Sequence, residues 1–161
     1  MNNLQNIFLF SLFAGFIVLE FALGKSKTLN ASRSDNILDM LCLALLAGFT
    51  QPFVFWVVQQ AGLAWVPEYQ NAWSALQWYA MAGILLVGDD MTQYWWHRAS
   101  HSPLLWPLHR AHHSAQYMSA RIIYRNNFFY YLAMPGLWIS GILIYLGFAE
   151  VYLVYIVIKL A

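Results

Sequence analysis

The sequence predicts an all-α fold, a polytopic transmembrane helix bundle with a cytoplasmic-side, histidine-rich helical region. Three observations predict it. The 161 residues are 61% hydrophobic and only 9% charged, against about 25% charged in an average protein, too little charge to coat a soluble globule of this size. The apolar residues fall in blocks long enough to cross a hydrocarbon core of about 30 Å as helices. All five histidines lie between positions 97 and 113. The same composition excludes disorder. A net charge of +1 leaves no electrostatic footprint for nucleic acid. One cysteine, Cys42, makes neither a disulfide framework nor a cysteine-based metal site.

The first predicted span covers 7–23, interrupted only by Glu20. No Lys or Arg precedes it and no small-residue cleavage pattern precedes Lys25, so it reads as a retained span rather than a secretory signal. The second runs from about 37 to 65, with a kink expected at Pro52. The third covers 72–88. The fourth covers 128–148 with Pro135 inside it, and a fifth, 151–160, is too short to span as it stands. Glu20 and Asp39 lie near segment ends and are expected to reach the interface. Asp89 and Asp90 close the third segment, and polar neighbours are expected for them, because an acid at mid-membrane costs about 3 kcal/mol.

Basic residues orient the bundle. Lys25, Lys27 and Arg33 follow the first segment, and Arg98, Arg110, Arg121 and Arg125 follow the third. The 67–71 turn holds Glu68 and no base. The bias of short cytoplasmic loops toward Lys and Arg then places the N-terminus and the 67–71 turn outside, and 89–127 inside. A bacterial inner membrane and the endoplasmic reticulum both fit. The arginines of 89–127 are expected to serve this bias and lipid headgroups, and Trp95, Trp96 and Trp106 an interfacial belt.

The histidines form two groups, His97 with His101 and His109 with His112 and His113. Residues three and four apart share a helical face, so each group projects together. Ser102-Pro103 supplies a break between them, and Pro107 suits the first turn of a new helix. Two short helices folded back on each other bring five imidazoles to a common centre. Neutral imidazole is the commonest protein ligand for transition metals, and five nitrogens exceed the four of a structural zinc site. A ligand histidine needs a partner for its second ring nitrogen. Asp90, seven residues before His97, is the first candidate, with Tyr94 and Asp89 behind it. The first box, His97-Arg-Ala-Ser-His101, lacks the Glu of a zinc-protease H-E-x-x-H motif.

The stretch DMTQYWWHRASHSPLLWPLHRAHHS, Asp90 to Ser114, resembles the fatty acid hydroxylase / sterol desaturase superfamily of membrane di-iron oxygenases. It carries that superfamily's H-x-x-x-H box, then its H-x-x-H-H box, with the leading Asp, the Tyr-Trp before His97 and the Ser after the second box. The resemblance divides the chain into N-terminal transmembrane segments, 1–71, and a partial hydroxylase-like domain, 72–161. It implies that His97, His101, His109, His112 and His113 are iron ligands, with two irons per site and zinc as the alternative metal. It also implies hydroxylation or desaturation of a lipid (a sterol, a fatty acid or a related molecule) using O2 and an external electron donor. A single cysteine excludes an iron–sulfur cluster in this chain. The superfamily's third histidine box has no counterpart after His113, so a C-terminally truncated sequence is the expectation. A non-catalytic metal-binding membrane protein, or an inactive fragment of the family, is the alternative.

Overall fold

A computed structural model describes residues 11, 15, 18, 19, 22, 32–117 and 120–160. The span expected at 7–23 lies for the most part outside the described residues, as do Glu20, Lys25 and Lys27. The architecture is all-α, and no strand occurs among the described residues.

Helix α1, Arg33–Leu45, begins at a capping box: the Asp35 amide donates to the Ser32 hydroxyl at 3.1 Å and the Ser32 amide to Asp35 Oδ2 at 3.2 Å. A π turn, Leu46–Thr50, joins it to α2, Gln51–Trp65. The π turn sits directly before Pro52, the expected kink. Proline has no N–H for the carbonyl four residues back and its ring crowds that carbonyl, and a widened turn relieves both. The combined helix, Arg33–Trp65, is long and apolar enough to cross a membrane.

The third segment differs from its expected bounds. Residues 72–76 form successive turns, with Asn71 in the left-handed region at φ 58°, and helix α3 runs Trp78–Ser100. The turns are held by long-range backbone bonds, from Asn71 N to Tyr145 O at 3.0 Å and Trp73 N to Leu146 O at 2.9 Å. Those bonds commit the backbone of this stretch elsewhere. Helix α4 is Trp106–His109. The fourth segment is likewise two helices, α5 Phe128–Ala133 and α6 Pro135–Leu143, because Met134 is extended before its proline.

A second π turn, Ile144–Phe148, leads into α7, Ala149–Leu160. Pro135–Ile156 also has the length and hydropathy of a span, but it reverses at Gly147, where φ is 116°. A Cβ on Gly136 would stand 3.7 Å from Asp89 Oδ1, and the Tyr155 hydroxyl donates to Asp89 Oδ2 at 2.7 Å. A straight helix would separate residues 136 and 155 by about 28 Å, so both reach Asp89 only across a hairpin. Met81, Leu85, Leu143, Phe148, Tyr152 and Tyr155 form the core where α3, α6 and α7 meet. The 66–77 turns and Gly147 occupy one end of the bundle. The C-terminal end of α3 and the start of α1 flank the histidines at the other.

Candidate metal centre

His97 lies in the last turn of α3 and His101 caps that helix. The chain then turns through Ser102-Pro103, with Trp106 N donating to Ser102 O at 2.9 Å, and Pro107 stands in the first turn of α4 as expected. His109 ends α4, and His112 and His113 open a 3₁₀ turn, His112–Ser114. The fold-back therefore opposes the two groups.

Ring nitrogens of His97, His101, His109 and His113 all lie within 4.8 Å of one another. His97 Nε2 is 3.2 Å from His101 Nε2, and His113 Nε2 is 3.1 Å from His109 Nε2. Two nitrogens about 2.0–2.1 Å from one ion, at octahedral to tetrahedral angles, stand about 2.9–3.4 Å apart, so these spacings fit a shared ion. His112 stands beside the group rather than in it. Its ring centroid is 5.2 Å from that of His109, and its Nδ1 meets the Ile122 carbonyl at 3.0 Å.

The electrostatics suit ligation. His109 is 1% exposed, and its burial, reinforced by neighbouring imidazoles and opposed by a bond to Asn126, pushes it down to about 4. Loss of hydration and then the adjacent rings also lower His97 and His113. All three are held in the neutral form that binds metal. Aromatic rings wall the group. Tyr130 stacks on His109 with centroids 5.0 Å and planes 18° apart, and Trp106 stacks on His113 at 5.5 Å. Of the three tryptophans expected at an interface, Trp95 is exposed under Arg98. Trp96 packs on Tyr130 and Trp106 on the histidines, so these two belong to the site's wall.

Asp90 lines a cavity of about 580 Å³ between α3 and α7, with Leu86, Glu150 and Tyr155, two helical turns from His97. Tyr94 accepts from Arg98 at 2.8 Å. Two of the histidines find ring-nitrogen partners in the 122–126 turn: the Ile122 carbonyl for His112 and Asn126 Oδ1, at 3.1 Å, for His109. Neither residue type stands out in a sequence. Two expectations are corrected. Asp39 is fully buried rather than interfacial, and Arg125, 1% exposed, is paired with it rather than with headgroups.

The family model for fatty acid hydroxylase matches residues 82–161, a stretch that contains every histidine. Through these residues the chain belongs to the fatty acid hydroxylase family. Hydroxylase family membership implies an oxidoreductase acting on lipid with O2, and the histidine cluster is consistent with metal binding. No solved structure matches the chain. Within this fatty acid hydroxylase member, α1 and α2 lie outside the matched residues, although Asp35 and Asp39 of α1 reach the 122–126 turn beside the histidines.

Proposed function

We propose that this protein is a membrane-bound, iron-dependent oxidoreductase that hydroxylates or desaturates a lipid with O2 and an external electron donor. The observation that carries the reading is the convergence of four imidazole nitrogens within 4.8 Å, in the motif spacing of the matched family. His97, His101, His109 and His113 hold one ion, and His112, with Nε2 uncommitted by its bond to Ile122, contributes to a second. Bound iron supplies the reduction of O2 and the oxidation of an unactivated C–H bond, which no side chain performs. The protein's own part is to keep the imidazoles neutral and aimed, and to wall the site with Tyr130 and Trp106.

Exposed aromatic side chains support a membrane setting with 72–161 as the catalytic part and 1–71 as membrane anchor. Trp65, Trp78 and Tyr79 are exposed toward one end, and Tyr94 and Trp95 toward the histidine end. The rise along α3 from Trp78 to Tyr94 is about 24 Å, close to hydrocarbon thickness, and aromatic girdles favour both interfaces. The excess of arginine near the histidines favours a cytoplasm-facing site.

A non-catalytic metal-binding protein is the second reading, favoured by the count of four nitrogens, which also suits a closed zinc site. Metal analysis of the chain purified in detergent, followed by O2 uptake with a chemical reductant and a lipid extract, separates the two. Bound iron, lost in His109→Ala, together with an oxidised lipid product supports the enzyme. Tight zinc with neither O2 uptake nor product supports the second reading.

A further inference from the structure

Helix α1 lies outside the family-matched residues, yet it reaches the histidines through two consecutive residues. Arg125 Nε donates to Asp39 Oδ1 at 2.5 Å, and its Nη1 and Nη2 each donate to Asp35 Oδ1 at 3.0 Å. Nη2 also donates to the Tyr117 hydroxyl at 2.7 Å, which in turn donates to Asp39 Oδ2 at 2.6 Å. The next residue, Asn126, turns its side chain the other way, onto His109 Nδ1.

The orientation of that amide follows from its far end. Asn126 Nδ2 stands 3.5 Å from the Ile123 carbonyl, an atom that only accepts, so nitrogen belongs there and oxygen faces His109. His109 Nδ1 must then carry the ring proton, which leaves Nε2 as a lone pair toward the other histidines. The Ile122 carbonyl imposes the same form on His112. Residues 125–127 are neither helix nor strand. Local backbone bonds there run from Arg125 N to Ile122 O and from Asn126 N to Tyr124 O, and the Asn127 carbonyl accepts from Tyr130 N at the start of α5. The Arg125 side chain anchors this turn to α1.

We infer that Asp39, with Asp35 and Tyr117, acts through Arg125 as a positioning residue that sets the tautomer and orientation of His109. Outer partners of ligand histidines act in this way on metal affinity. The inference rests on the metal-binding reading for its consequence, while the tautomer itself exists without metal.

The test uses the full chain in detergent, labelled with ¹⁵N-histidine and free of metal, with His109→Gln assigning the His109 signals. The wild type is expected to hold His109 in the Nδ1–H form. Asp39→Asn and Arg125→Lys are expected to shift it toward Nε2–H while the His97 and His101 signals stay in place. Asn126→Leu removes the acceptor itself, and Tyr117→Phe, which spares the ion pair, gives a smaller shift; these two decide the matter where an ion-pair variant does not fold by circular dichroism. Cobalt affinity is expected to fall about ten- to a hundredfold in the shifted variants. Folded ion-pair variants that keep the wild-type tautomer and affinity overturn the inference, and so does a wild type with His109 in the Nε2–H form. A wild type with the expected tautomer, lost in the variants, but with no cobalt binding upholds the positioning and overturns the metal reading alone.

Discussion

Arg125 and Asp39 stand 86 positions apart in the chain and form an ion pair with side chains 2% and 0% exposed. Removing one member of such a pair leaves a buried charge without compensation, which costs about 3–5 kcal/mol. Asp39→Ala is therefore expected to lower thermal stability strongly, and Arg125→Met by a similar amount. The double variant Asp39→Ala/Arg125→Met is expected to lose less than the sum of the two. Strict additivity in unfolding experiments would show that the pair is not coupled.

The four-nitrogen group leaves His112 to one side. His97→Ala or His113→Ala is expected to weaken the tighter-bound ion by more than the ten- to hundredfold (roughly) typical of outer partners. His112→Ala is expected to retain that ion. Metal titration of the three variants checks this, and loss of all metal in His112→Ala would place all five histidines in one indivisible site.

Tyr117 is driven up to about 12, first by burial and then by its bond to the Asp39 carboxylate. With a raised folded value, its contribution to stability is complete below the ordinary 10.0 and is lost as pH rises through about 12. An alkaline titration of phenolate absorbance in wild type and Tyr117→Phe should differ by one group ionising near the upper value. A difference centred at the ordinary value would mean that the hydroxyl is free of the network.

Gly62 on α2 faces the buried ring of Tyr145, and a Cβ there would stand 2.6 Å from two ring atoms. The ring cannot simply swing aside, because its hydroxyl donates to the Val66 carbonyl at 3.0 Å. Gly62→Ala is expected to destabilise by about 1–3 kcal/mol, and Tyr145→Leu in the same chain to recover part of it. Unchanged thermal unfolding in Gly62→Ala would show that the contact between α2 and the Ile144–Phe148 turn is loose.

The histidine site was legible because its determinants are local. Helical-face spacing, Ser102-Pro103 and Pro107 together dictate a fold-back within seventeen positions, and no distant partner is needed. The Asp39–Arg125 contact was not legible, because an acid near the end of an apolar run reads the same whether it faces water or a guanidinium from across the bundle. The start of α3 at Trp78 escaped for a related reason: the apolar residues 72–76 suit a helix, but backbone pairing to Tyr145 and Leu146 decides otherwise. Trp96 and Trp106 have interfacial chemistry by type, and only the fold-back of α4 turns Trp106 onto the rings. The reversal at Gly147 falls close to the break expected between the fourth segment, ending at 148, and the fifth, beginning at 151.

The reach of α1 into the 122–126 turn bears on any attempt to graft the histidine-bearing stretch into another host. Residues 82–161 moved alone would bring along a guanidinium whose counter-charges stayed behind on the donor. A recipient scaffold would have to offer a carboxylate at the depth and angle now occupied by Asp39, or the imidazoles would arrive without the brace that aims them.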